Sequence, residues 1–419
     1  MIKKIKNIYK IFGPGILMAT AAIGGSHLVS STQAGALFGW SLAIFILLIN
    51  FFKYPFFLAN VQYTMATKKS LIEGYASLGN SWLWLFTILA VIAAVVNTAA
   101  VSMFAASLLG YFIPIKLTIN ILSFIIIFAC ILILIAGKYN LLNNVSKIIM
   151  ITLSIATVVA VVMAVTKDVN STLADDFISP SAWTIASLGF IVILTGWMPA
   201  PIEISSIGSI WLKNQIKQTN INAENALLDF NVGFIVTAIL ALFFLALGAL
   251  VLHGSAYEFK DGIAFSHQLV TMYSTVIGDW SRLLIAFIAF ACMFGTSITV
   301  IDGYGRAVAE AFSLIRKNRS ASNKSVAVWT IFISIIGFLI IYYFASSMRT
   351  MLDFAMILSF TTTPIFAFLN YKLVRSTKLP KELQNGMFLN ILSICGLIFL
   401  FGFLILFIIY RWFPFLIGL

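Results

Sequence analysis

The sequence predicts an all-α integral membrane protein of eleven transmembrane helices. Ten form two five-helix repeats of opposite topology, one helix is added at the end, and helices 1 and 6 are unwound mid-membrane. Three observations predict this. The 419-residue chain is 61% hydrophobic and only 10% charged, with a mean hydropathy of +1.04, whereas soluble domains carry about 25% charged residues. Its apolar runs repeat at the ~20-residue length that crosses a bilayer core. Two of those runs, five apart, are interrupted mid-span by glycines or prolines.

The runs fall at 13–38, 40–65, 82–111, 117–137, 144–166, 183–211, 229–252, 281–312, 325–346, 351–375 and 387–410. Residues 1–12 form a basic tail, whose Lys3, Lys4, Lys6 and Lys10 read as a cytoplasmic anchor rather than a signal-peptide start. With that tail inside, 18 Lys and Arg fall on cytoplasmic segments and 6 on outer ones, which sets the N-terminus cytoplasmic and the C-terminus outside, as in a multi-pass protein of the cell inner membrane. The polar outer loop 167–182 separates a first repeat, 13–166, from a second, 183–375, with 387–410 as the extra helix. The net charge of +12 thus belongs to membrane loops and points to no nucleic acid. Cys130, Cys292 and Cys395 are scattered through apolar runs and suggest neither disulfides nor a zinc site. No nucleophile–base set or nucleotide loop suggests an enzyme, and no cofactor is expected.

The first span is interrupted at Ala21-Ala22-Ile23-Gly24-Gly25-Ser26-His27, and the sixth at Thr195-Gly196-Trp197-Met198-Pro199-Ala200-Pro201. Paired glycines weaken a helix, and proline removes a donor and clashes with the preceding turn. At membrane depth, unwound backbone is tolerated only where it lines a cavity or is buried in protein. Transporters built from inverted repeats place their binding sites between such interrupted helices.

The stretch Gly13-Pro14-Gly15 through Gln33-Ala34-Gly35-Ala36, followed by Phe38-Gly39, resembles the first helix of the Nramp divalent-metal transporters, and Met198-Pro199 resembles that family's Met-Pro-His segment. The resemblance implies a secondary transporter of the amino acid-polyamine-organocation type, working by alternating access. The departures fall on the metal site. The family's Asp-Pro-Gly-Asn is here Gly24-Gly25-Ser26-His27, its histidine after Met-Pro is Ala200, and residues 82–111 hold no Asp or Glu to serve as the family's acidic proton route. Divalent cations require charged oxygen ligands. In its Gly24-Gly25-Ser26-His27 replacement the chain resembles an Nramp-related branch associated with bicarbonate.

A half-helix starting near Gly25 and another near Pro199–Pro201 would aim two positive helix ends at one small pocket, an arrangement suited to an anion. Gly24, Gly25, Ser26, His27, Thr195, Gly196, Met198 and Ala200 are therefore the expected substrate-binding residues, with bicarbonate or a similar small anion as substrate. Ala22, Thr296, Ser297 and Thr299 are the expected coupling-ion residues, for sodium or alternatively a proton, and Thr361-Thr362-Thr363 adds hydroxyls on the tenth span. Lys53 and Glu203 are expected to form a gating ion pair, and Asp302, Arg306 and Glu310 an i, i+4, i+8 ladder. The competing expectations are a divalent or soft metal held by His27, Met198 and backbone carbonyls, and a small carboxylate or amino acid. A monomer in the lipid bilayer is expected.

Overall fold

The computed structural model describes residues 13–136, 139–166, 177–218, 221–254, 260, 262–318, 320–344 and 347–413, with backbone alone for 139–147, 149 and 150. The predicted tail 1–12 and residues 167–176 of the predicted outer loop lie outside the described residues.

The described chain is all helix, with no strand among its residues. Helix α1 (Pro14–Ala22) runs through a π-helical segment (Ile23–Ser31) into α2 (Thr32–Phe38). Then follow α3 (Ala43–Thr67), the short α4 (Leu71–Leu78), α5 (Asn80–Gly110), α6 (Ile119–Ile135) and α7 (Tyr139–Thr166). The second half holds α8 (Leu188–Trp197), α9 (Ile204–Gln218), α10 (Ala223–Val251), α11 (Gly262–Ile277), α12 (Arg282–Ile315), α13 (Asn323–Tyr343), α14 (Met348–Ser376) and α15 (Met387–Trp412). Among the described residues, seven helices are long and apolar enough to cross a membrane, and Ile119–Ile135, Ile151–Thr166 and Ile185–Trp197 are shorter apolar helices.

Local chemistry sets the ends. Pro14 opens α1, where its missing N–H costs nothing. The Asp229 carboxylate of α10 accepts from the N–H groups of Gly13 (3.1 Å) and Gly15 (2.7 Å), anchoring that end from across the fold. Asn222 caps α10 and starts it earlier than the expected 229. Ser70 and Glu73 close a capping box on α4, a helix too short to read as a span. α11, sixteen residues long and carrying Ser266, His267 and Gln268, is likewise absent from the expected spans.

α12 packs most extensively on α5 at the centre, and α1, α2 and the π-helical segment lie against α10. Outward faces stay apolar, as with Ile44, Leu47 and Phe51 on α3, Phe124 and Phe128 on α6, and Ile391 and Ile398 on α15. Faces of this kind are suited to lipid rather than water.

One expectation is corrected here. The first span is not unwound at Gly24-Gly25: it stays helical from Pro14 to Phe38 by widening into the π form. Glycine keeps its N–H, so the backbone can shift to the i→i+5 pattern without leaving groups unpaired. The sixth span does break, between Trp197 and Ile204, because Pro199 and Pro201 carry no N–H.

Candidate functional site

The π-helical segment and the sixth-span break meet at the middle of the fold. Gly25 lies against the Trp197 ring so closely that a Cβ there would overlap it. The Ser26 hydroxyl faces three acceptors: the Ala22 carbonyl, the Pro199 carbonyl at 3.1 Å and His27 Nδ1 at 2.7 Å. On the far side of the break, Gly196 abuts the Met356 backbone of α14.

Between these segments and α5 and α12 is a cavity of about 30 Å³, room for one or two water-sized occupants. Its polar walls are Ser26, Asn97, Thr296 and Tyr304, with Gly25, Pro199, Ala200 and Pro201 supplying backbone. No Asp, Glu, His, Lys or Arg side chain is among the residues lining it. A polar chain wires the wall together. Trp197 Nε1 donates to Asn97 Oδ1 (3.1 Å) and Ser359 Oγ (3.2 Å). Asn97 Nδ2 donates to the Tyr304 hydroxyl (3.0 Å), which donates to Glu203 Oε1 (3.1 Å). Glu203 is buried, and its Oε2 has no hydrogen-bond partner among the described residues.

The sequence expectations divide on this geometry. Gly25, Ser26 and Ala200 line the cavity; Gly24, His27, Thr195, Gly196 and Met198 do not. His27 is fully buried on the α10 side, where Nε2 meets the Thr237 carbonyl at 2.8 Å and Nδ1 meets the Ala22 carbonyl at 3.0 Å, with Phe244 edge-on to the ring. Both ring nitrogens thus face backbone carbonyls, one on α10 and one on α1, so the imidazole serves packing between spans. Met198 turns into an apolar cluster with Ala34, Phe38 and Leu245. Gly24 sits under Thr296 and Met293.

Two further placements correct the reading. The first N–H groups of α9 are not free for a ligand: Ile204, Ser205 and Ser206 donate to the carbonyls of Pro201, Ile202 and Glu203 at 2.9–3.1 Å. With the first span continuous, the two converging helix ends reduce to one, and its leading donors are already used. Lys53 and Glu203 attract one another but do not form the expected direct pair. The Lys53 ammonium, fully buried, donates instead to the carbonyls of Thr195 (2.6 Å), Gly196 (3.3 Å) and Ala200 (3.4 Å). Of the coupling-ion group, Ala22 and Thr296 line the cavity, and the Thr296 hydroxyl reaches the carbonyls of Cys292 (3.1 Å) and Thr20 (3.4 Å). Ser297 turns to Val101 of α5, and Thr299 bonds back to Gly295.

The ladder on α12 is real for half its length: Arg306 pairs with Asp302 at 2.8 Å. Glu310 joins Lys213 at 3.0 Å, and Lys213 also holds Glu73 at 2.6 Å, tying α4, α9 and α12 at the side the lysine count marks as cytoplasmic. Asn97 and Tyr304 were missed as site residues. Asn97 was legible as a mid-span amide in an otherwise apolar run, whereas Tyr304 gave no signal distinguishing it from core aromatics.

A bundle whose sixth span breaks beside a π-distorted first span, around a small polar cavity, is the fold of membrane secondary transporters. The family model described as natural resistance-associated macrophage protein-like matches residues 15–410. The chain belongs to that family, a family of multi-pass transporters rather than enzymes. It is 48% identical over 402 residues to an uncharacterized protein of Pasteurella multocida, covering 96% of this chain and 92% of that one. In fold it is similar to a manganese transporter of Eremococcus coleocola, solved as a point mutant (TM-score 0.72, 14% identity, 96% of this chain and 87% of that one). It is also similar to MhsT in complex with L-phenylalanine (TM-score 0.59, 13% identity, 93% and 98%).

Proposed function

We propose that the chain is a secondary transporter importing a small anion, bicarbonate by preference, coupled to sodium or protons. Alternating access would move one five-helix repeat, 13–166, against the other, 183–375, with 387–410 as an added helix, in the inner membrane with the N-terminus cytoplasmic. The observation that carries this reading is the cavity wall at the sixth-span break. Its polar groups are the neutral side chains of Ser26, Asn97, Thr296 and Tyr304, without a carboxylate or imidazole. Such a wall has no charge with which to strip water from a divalent cation, and although its hydroxyls donate to protein oxygens, the Asn97 amide gives one N–H to Tyr304 and keeps its second for an anion. A cavity of about 30 Å³ is on the scale of an ion of few heavy atoms, far below the ~300 Å³ at which pockets for larger ligands begin, which disfavours an amino acid. Moving a lone anion inward against a negative interior costs ~2.3 kcal/mol per 100 mV, so accumulation requires a cation partner. The Thr296 hydroxyl beside the Thr20 carbonyl is a candidate place for sodium.

The family likeness favours a second reading, since the solved neighbour is a manganese transporter. In this chain the soft ligand it would use, Met198, is turned into an apolar cluster. Among the described residues, no three His, Cys, Asp or Glu side chains converge to hold a metal.

The test is labelled-bicarbonate uptake into proteoliposomes, with and without a sodium or proton gradient, alongside manganese calorimetry on the purified protein. Uptake above empty liposomes that falls at least tenfold in Asn97→Ala is the expected result. Bicarbonate uptake equal to empty liposomes, or saturable manganese binding, would overturn the anion reading.

A further inference from the structure

We infer that Lys53 is a built-in cation: its ammonium fills a carbonyl socket at the sixth-span break that would otherwise bind a free monovalent cation. The socket follows from the sequence of the break. In a continuous helix the Thr195 carbonyl would accept from the N–H of residue 199, four positions on. Residue 199 is proline and has none. The Gly196 carbonyl would accept from Ala200, which lies past the last residue of α8. Two carbonyls at the negative end of α8 are therefore left without helical donors, in the interior of the protein, where unpaired backbone groups are costly.

The Lys53 ammonium has three donors and meets three carbonyls, those of Thr195 (2.6 Å), Gly196 (3.3 Å) and Ala200 (3.4 Å). The third lies inside the break, past Pro199, so the ammonium ties the end of α8 to the unwound segment that follows. Glu203, three residues further, is buried at the same break. Carbonyls of an unwound helix end are the oxygen ligands that hold sodium in transporters of broken-helix design. Here the cation arrives on a side chain from α3, reaches the socket at full burial, and cannot diffuse away.

Two consequences distinguish this from an ordinary buried lysine. The wild-type break needs no dissolved cation to keep its shape. Deleting the ammonium while leaving room should create a cation site that did not exist before. The inference stands apart from the choice of substrate, because it can be read without transport.

The experiment is thermal melting of purified wild type, Lys53→Ala and Lys53→Gln in chloride salts of methylammonium, sodium and choline at constant ionic strength. Lys53→Ala should melt several degrees lower than wild type, and methylammonium should restore most of the loss. The recovery should grow with the logarithm of concentration, as expected for a ligand that binds only the folded state. Choline, too large for the socket, should not restore it, and wild type should respond to none of the three. Lys53→Gln, whose amide supplies donors without charge, should fold and show a weaker response than Lys53→Ala. The inference is overturned if Lys53→Ala melts like wild type, or if wild type and variant respond alike to each cation. It is equally overturned if Lys53→Gln matches wild type in melting temperature and in its lack of response to the cations, or if neither variant folds at any methylammonium concentration.

Discussion

Residues Ile23–Ser31 lie in the first span and Met198–Glu203 in the sixth, and both interrupt regular α-helix, yet they do so by different means. The first carries Gly24 and Gly25, each costing a helix about 1 kcal/mol relative to alanine while keeping its N–H. The backbone widens into a π-helical stretch and every turn remains closed. The second carries Pro199 and Pro201, each costing about 3 kcal/mol and each removing a donor. There α8 stops at Trp197, and the carbonyls left behind are met by an ammonium from α3. A glycine pair changes the pitch of a span; a proline pair changes its electrostatics. The result is a first span held by neutral bonds, through Ser26, and a sixth span held by charge, through Lys53 and Glu203.

The largest expected effect tests how rigidly each segment is held. A Cβ at Gly196 would press on the Met356 carbonyl, backbone that cannot turn aside, whereas a Cβ at Gly25 would press on the Trp197 side chain. Gly196→Ala should therefore cost about 3 kcal/mol or more, and Gly25→Ala about 1–3 kcal/mol, overpacking being cheaper when a side chain can yield. Melting of the two purified variants decides it, and a Gly25→Ala variant less stable than Gly196→Ala would invert the ranking and break the comparison.

A smaller effect is expected at the charge on the sixth segment. Tyr304→Phe removes the hydroxyl that donates to Glu203 Oε1 and accepts from Asn97, leaving a buried carboxyl served even less well than now. The cost of such an orphaned group is about 1–3 kcal/mol. If the carboxyl is the reason, Glu203→Gln combined with Tyr304→Phe should be less damaging than the separate losses sum to, a coupling that a double-mutant cycle on melting free energies would measure. Strict additivity would mean that Tyr304 and Glu203 act independently, and the sixth segment would lose its claim to being held by charge.

How much of this was legible in the sequence follows the same physics. The seven long apolar helices of the described residues were legible because twenty apolar residues in a row have few other uses, and the break at Pro199 and Pro201 because proline's missing N–H is a local fact. The π-helical outcome at Gly24-Gly25 was not, since whether a glycine pair unwinds or widens depends on what packs beside it, here Trp197 and Thr296. Lys53 and Glu203 stood out in the sequence as charges within apolar runs and both are buried, but their partners lie 142 and 101 positions away in the chain, and charge alone suggested that they would choose each other. His27 failed for a related reason: the sequence places it on the distorted segment, but only the helix phase, shifted by the π turn, points it at Thr237 and away from the cavity.

The smallest expected effect bears on the one direct bond between the two segments. Ser26 and Ser31 both lie buried on the π-helical segment, but their hydroxyls are placed differently: Ser26 reaches the Pro199 carbonyl, whereas Ser31 Oγ has no partner among the described residues. Removing a used hydroxyl costs about 1 kcal/mol, while removing a buried one without a partner is neutral or favourable. Ser26→Ala should thus melt slightly below wild type and Ser31→Ala at or above it, although the two substitutions delete the same atom from the same nine-residue segment. Ser26→Ala should also slow uptake more than its stability loss accounts for, because Pro199 would no longer move with the first span. Should Ser31→Ala prove the more damaging of the two in both assays, the link between the segments does not run through Ser26, and the first span's contribution to the site must be sought in its close packing at Gly25 instead.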